Sequence, residues 1–202
     1  AAAIIGLAGA IPPASAYPGQ LRGSVVRSAD VATALPAALD AGLDLLLLDG
    51  TAGIEHPWPE LAGAPDLTVI RDALRLLREL NREEDVELVW FGGVRSGTDT
   101  AKLIGLGANA VAVSTALALA AGGRIEGDAI AFYGDTTPDE RAEGAELYLQ
   151  AVQTEASIMP RCTGKTNLAN VEPEDLRSIS LVTAVATGIP LAGRNERLAA
   201  AG

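Results

Sequence analysis

The chain has little of what usually marks chemistry or compartment: one cysteine, one histidine and only 3% aromatic residues. A single thiol excludes an internal disulfide framework and is compatible with a cytoplasmic chain. It also leaves too few thiolates for an iron–sulfur cluster, which needs three or four, and no metal site is expected. With so few rings, Ala, Leu and Val must do the packing. Basic residues are scarce too, with 15 Lys and Arg against 26 Asp and Glu and a formal charge of −11. A surface of that sign repels phosphate backbones and anionic headgroups, which argues against nucleic acid or a membrane as partner. No apolar run reaches the roughly 18–20 residues of a membrane span. The opening AAAIIGLAGAIPPASA carries no basic residue, so no signal peptide is expected.

What is present is apolar residue and glycine: 49% of the chain is hydrophobic and 22 residues are Gly. A length of 202 residues suffices for one core, and residues 1–202 are read as a single domain. The most informative stretch is residues 86–120, VELVWFGGVRSGTDTAKLIGLGANAVAVSTALALA. An apolar run ends in Gly92-Gly93, a helical pattern closes at Gly107, and a second apolar run ends in Ser114-Thr115. Continuous apolar runs joined through a helix are the mark of parallel strands. Glycines at the first turn let backbone approach a ligand closely, and a helix opening at Ser114-Thr115 offers N–H groups to an anion. Two such turns one βα unit apart can grip one phosphate.

Taken in order, residues 1–18 are rich in Ala and Pro and read as an arm or loop. Residues 23–28 (GSVVRS) read as a short strand, and 29–41 as a helix interrupted at Pro36. Residues 43–48 form the most apolar strand, from whose C-terminal end Asp49, Gly50, Thr51 and Gly53 emerge. In parallel α/β folds that end is where ligands sit. His56 follows in a polar loop, where a lone histidine more often caps or meets solvent than reacts. Residues 66–80 are an amphipathic helix with Arg71, Arg75 and Arg78 on its charged face. Residues 124–160 read as an inserted region whose helix spans 138–158. A last helix is expected from 171 to 186, and 193–202 form a tail.

The Gly-Gly-Val-Arg-Ser-Gly-Thr-Asp run at 92–99 and the Gly-Ala-Asn-Ala-Val run at 107–111 resemble the end of an FMN-binding TIM barrel. The likeness is to the FMN domain of glutamate synthase, although glycolate-oxidase-type enzymes and inosine monophosphate dehydrogenase share the core pattern. It covers residues 42–121 and, more faintly, 160–193. It implies a (β/α)8-type barrel of which only the C-terminal half, four βα units plus extra helices, is present. The chain is therefore expected to be a fragment or a subunit of a split barrel that packs against missing residues or other subunits. FMN is the implied cofactor, held by Gly50, Thr51, Gly53, Gly92, Gly93, Arg95, Ser114 and Thr115. A small-molecule substrate is implied with it. Arg27 stands on the strand where the family has a lysine near the flavin, and it is assigned with Asp49 to catalysis. The segment Cys162-Thr163-Gly164 is similar to part of the family's cluster motif but lacks its other cysteines.

The implied activity is an FMN-dependent oxidoreductase in which flavin reduces an imine in amino-group or glutamate metabolism. Two alternatives stay open. One is a non-catalytic structural or regulatory barrel subunit; the other is a barrel that binds a phosphate ester without flavin.

Overall fold

The structure is a computed structural model that describes residues 3–7, 9–14 and 17–194. Five parallel strands form one sheet in chain order: β1 (Ala3–Gly6), β2 (Leu21–Val26), β3 (Leu45–Asp49), β4 (Glu87–Phe91) and β5 (Ala110–Ala112). Helices follow four of them: α1 (Val31–Asp40), α2 (Thr68–Leu80), α3 (Gly97–Leu106) and α4 (Thr115–Ala120). The order is that of a barrel segment, and the sheet is not closed. After α4 come an antiparallel hairpin, β6 (Arg124–Glu126) and β7 (Ala129–Ala131), then α5 (Pro138–Ile158) and α6 (Leu181–Thr187).

The core lies between the sheet and its helices. Val26, Leu46, Leu48, Leu88 and Trp90 meet Leu35 and Leu39 of α1 and Val69, Ile70, Ala73 and Leu77 of α2. Leu46 and Leu48 are fully buried, each contributing on the order of 2 kcal/mol relative to exposure. Successive strand residues point to opposite faces. Val25, Leu47 and Phe91 therefore look away from α1 and α2, and so do Arg27 and Asp49, which continue the same phase. Strand phase thus puts the two assigned catalytic residues on one face, Arg27 just past the end of β2 and Asp49 at the last residue of β3.

Three expectations are corrected. Residues 1–18 are not wholly an arm, because the apolar run Ala3–Gly6 finds a parallel edge on β2 and becomes a fifth strand, where four units were expected. The helix expected over 171–186 is a 3-10 turn at Pro173–Asp175 and a short helix at Leu181–Thr187. Its acids at the start cap a turn instead: Glu172 and Asp175 share Lys165, at 2.9 and 2.6 Å. Helix α1 also runs through Pro36 without a break. The tail from 195 onward lies outside the described residues.

Helix α5 spans the residues expected, opened by a reciprocal capping box between Thr137 and Glu140. It docks on α3 where Gly97 has no side chain: a Cβ there would fall 2.6 Å from Glu155 Cβ. Glu155 then accepts the Gly97 amide at 2.8 Å and the Thr98 hydroxyl, which closes the positive end of α3. Among the described residues no helix is long and apolar enough to cross a membrane.

Candidate functional site

The sheet's C-terminal rim carries two connected clusters. In the first, Arg27 Nε donates to Asp49 Oδ2 at 2.9 Å. Asp49 Oδ1 accepts the Thr51 amide at 2.9 Å and the Thr51 hydroxyl at 2.6 Å. Asp49 is 6% exposed. Burial pushes its carboxyl up, but the Thr51 bonds and the Arg27 guanidinium outweigh that, and the carboxyl is held below its ordinary value. Arg27 keeps half its side chain in solvent, so this is a positive group on a fixed mount.

Gly50 and Gly92 bind the cluster to the core. The Gly50 amide donates to Phe91 O at 2.9 Å. A Cβ on Gly50 would lie 2.6 Å from Trp90 Cη2, and one on Gly92 would lie 2.8 Å from Thr51 Cγ2. These glycines admit an indole ring and a neighbouring turn, where the sequence suggested close approach of a ligand. Trp90, buried beneath them, donates from Nε1 to Gly92 O at 2.6 Å.

The second cluster is organised by a residue the sequence analysis did not single out. Glu60 Oε1 accepts the Thr115 hydroxyl at 2.8 Å, and Glu60 Oε2 accepts the Thr115 amide at 3.1 Å. The Glu60 carbonyl accepts the Gly93 amide at 3.1 Å. The loop carrying Glu60 leaves Asp49 and returns to Gly50, whose carbonyl accepts the Asp66 amide at 2.8 Å. Pro65 of that loop lies 3.0 Å from where a Cβ on Gly93 would be. The two turns expected to flank a phosphate are therefore brought together, and an oxyanion from the chain itself sits between them. Helix α4 has only six residues, so the amide and hydroxyl of Thr115 do this holding, not the field of a long helix. A glutamate in a loop leaving the rim was the available signal, but nothing in its spacing shows where the loop folds back.

The remaining assigned residues stand apart. Arg95 is turned to Asp99, 3.8 Å away in the first turn of α3. Gly53 (φ +82°) sits in an open turn with nothing near. Ser114 is exposed and its side chain caps nothing. His56 accepts the Trp58 amide at Nδ1, 2.9 Å, the capping use expected of it. Cys162 is exposed and free. The surface grooves along Arg71, Arg75 and Arg78 and beside Val152 share no residue with the rim clusters.

The model of a conserved region in glutamate synthase matches residues 24–127, half of the chain and both rim clusters. The chain belongs to the glutamate synthase family. It is similar to the glutamate synthase large subunit-like protein of Rhizobium meliloti (strain 1021), 35% identical over 189 residues. That match takes in 77% of this chain and 43% of the relative, so the chain spans under half its length. A shorter likeness, 38% over 82 residues, joins it to thiazole synthase of Nitrobacter hamburgensis, covering 41% of this chain and 31% of that protein. Among solved structures, flavocytochrome b2 with pyruvate bound has a TM-score of 0.57 at 21% identity, over 83% of this chain and 38% of that one. The recombinant flavin-binding domain of baker's yeast flavocytochrome b2 gives 0.55 at 23%, over 83% and 37%. At that identity they show the fold, a partial TIM-type barrel.

The residues present fit FMN at its phosphate end. The Thr115 donors already hold a carboxylate and the Gly93 amide a carbonyl, and a phosphate offers acceptor oxygens that suit the same donors.

Proposed function

We propose that this chain is the FMN-binding part of an oxidoreductase related to glutamate synthase, acting on a small substrate in amino-group metabolism. The single observation that carries this is the oxyanion site built from Thr115 and Gly93 at the rim of a sheet of this family. Bound flavin would supply electron transfer to an imine. The chain's own residues do the rest. Thr115 and Gly93 hold the phosphate by backbone and hydroxyl, with Ser114 and Gly92 beside them. Arg27 offers a positive charge on the face away from the helices, where the family resemblance puts a lysine. Asp49 fixes the direction of that guanidinium, while Gly50, Thr51 and Gly53 shape the adjoining turn.

The protein is expected to bind FMN after reconstitution, with a visible absorption band and a released ligand of FMN's mass. A colourless protein that leaves FMN fluorescence unchanged would refute the reading. The stretch shared with thiazole synthase favours a second reading. In it the same two turns hold the phosphate of a colourless ester, and binding of a phosphate ester in place of FMN would select it.

A further inference from the structure

Glu60 meets Thr115 and Gly93 in a way that turns ordinary loop packing into a device. An N–H or a hydroxyl gives one strong hydrogen bond at a time. The Thr115 amide, the Thr115 hydroxyl and the Gly93 amide each give theirs to Glu60, at 3.1, 2.8 and 3.1 Å. Thr115 is only 5% exposed, so its donors meet little water. Pro65 fills the space over Gly93 from the same loop. A phosphate cannot reach these donors while Glu60 holds them, and two anions will not share one desolvated site.

The loop turns at two glycines. It leaves the rim at Gly53 (φ +82°) and carries a second left-handed glycine at Gly63 (φ +75°), both in conformations that favour glycine. Besides Glu60 and the packing of Pro65 over Gly50 and Gly93, two hydrogen bonds tie it to distant parts of the chain. The Asp66 amide reaches Gly50 O at 2.8 Å, and Trp58 Nε1 reaches Gly127 O at 3.2 Å. Its own turn at Trp58, where the amides of Leu61 and Ala62 both reach the carbonyl at 3.0 Å, can persist as it moves.

We propose that residues 54–66 are a latch in which the Glu60 carboxylate stands in for the ligand's phosphate, so that ligand and carboxylate compete for the two Thr115 donors, while the Glu60 carbonyl holds the Gly93 amide as part of the same loop. This rests on the FMN reading above and adds a control to it. Without ligand the rim is closed on its own glutamate. The phosphate of FMN displaces Glu60 and releases the loop, so loop opening is tied to the charged end of the ligand and not to its ring. A flavin without a phosphate has nothing with which to displace Glu60.

The test compares wild type, Glu60→Gln and Glu60→Ala in titrations with FMN and with riboflavin, read by flavin fluorescence. Hydrogen–deuterium exchange at Gly93 and Thr115 is measured beside them without ligand. Both substitutions should tighten FMN about tenfold or more, the scale of hydrogen bonds to a charged acceptor no longer lost on binding. Riboflavin affinity should stay within about twofold, because it makes no demand on the donors Glu60 holds. The Thr115 amide should exchange slowly in wild type and faster in Glu60→Ala. If wild type binds FMN and neither variant binds it more tightly, the latch is overturned and the flavin reading stands. If no variant binds either flavin, the flavin reading falls. The latch, which rests on that reading, falls with it; where FMN does bind, Thr115 protection that survives in Glu60→Ala overturns the latch alone.

Discussion

The ring of Trp90 occupies the space that a side chain on Gly50 would need, with Cη2 2.6 Å from the Cβ position. The glycine that follows β3 and the tryptophan of β4 are therefore one packing unit, and the turn bearing Asp49 and Thr51 is set by it. Gly50→Ala should push the indole aside at a cost of roughly 1–3 kcal/mol, the range for overpacking a filled core. A lowered urea midpoint with an unchanged slope is the expected result, and an unchanged midpoint would show that the ring has room to move.

Asp49 gives a pH signature. Its folded pKa is depressed, so its stabilisation is present above the ordinary carboxylate value and is lost as pH falls through the folded value. Asp49→Asn should cost about 1–2 kcal/mol near neutrality, discounted because the Arg27 guanidinium is half in water. The difference between wild type and variant should narrow below about pH 4. Denaturant unfolding measured at several pH values checks this, and a gap that widened in acid would have the wrong sign.

Glu155 ties α5 to α3. Hydrogen bonds from the Thr98 hydroxyl and the Gly97 amide hold its carboxyl below its ordinary value. Glu155→Ala should loosen the docking and leave the start of α3 open, which lowers the melting temperature. Faster amide exchange should be confined to residues 97–99 and to α5. The loss should fade in acid, by the same sign as for Asp49.

Gly93 and Ser114 separate backbone from side chain at the rim. Gly93 has φ +68°, and a Cβ there would meet Pro65 Cγ at 3.0 Å. Gly93→Val should therefore strain the turn and largely abolish FMN binding in a fluorescence titration. Ser114→Ala should weaken it by no more than the ~1 kcal/mol of one hydrogen bond. Comparable losses in the two variants would mean that the serine hydroxyl, not the backbone, carries the grip.

Most of the fold could be read from the sequence because burial shows in residue type. The apolar runs at 43–48 and 86–91 became β3 and β4, displaced by one or two residues, because a strand shielded on one side by helices must be apolar over its length. Gly107 marks the end of α3 because its φ of +113° suits little else. β1 was hidden because four residues carry too short a period to stand out from the Ala- and Pro-rich run around them. The rim was only half legible. Residue types placed Asp49, Thr51, Gly93 and Thr115 near one another, since strand ends share a side of the sheet. Glu60 was invisible for the opposite reason: its partners Gly93 and Thr115 lie 33 and 55 positions away, and the loop's path is set by contacts, not by local preference.

The sheet's strand order equals its chain order. Each strand after the first thus lies beside the one made just before it, and each new helix closes over a pair already in place. Pairings of this kind need only short chain excursions, which lowers the entropy lost before contacts form and favours quick folding. Synthesis from the N-terminus runs in the same direction as assembly of the sheet. The ribosome can release this sheet one strand at a time, with a partner already waiting for each.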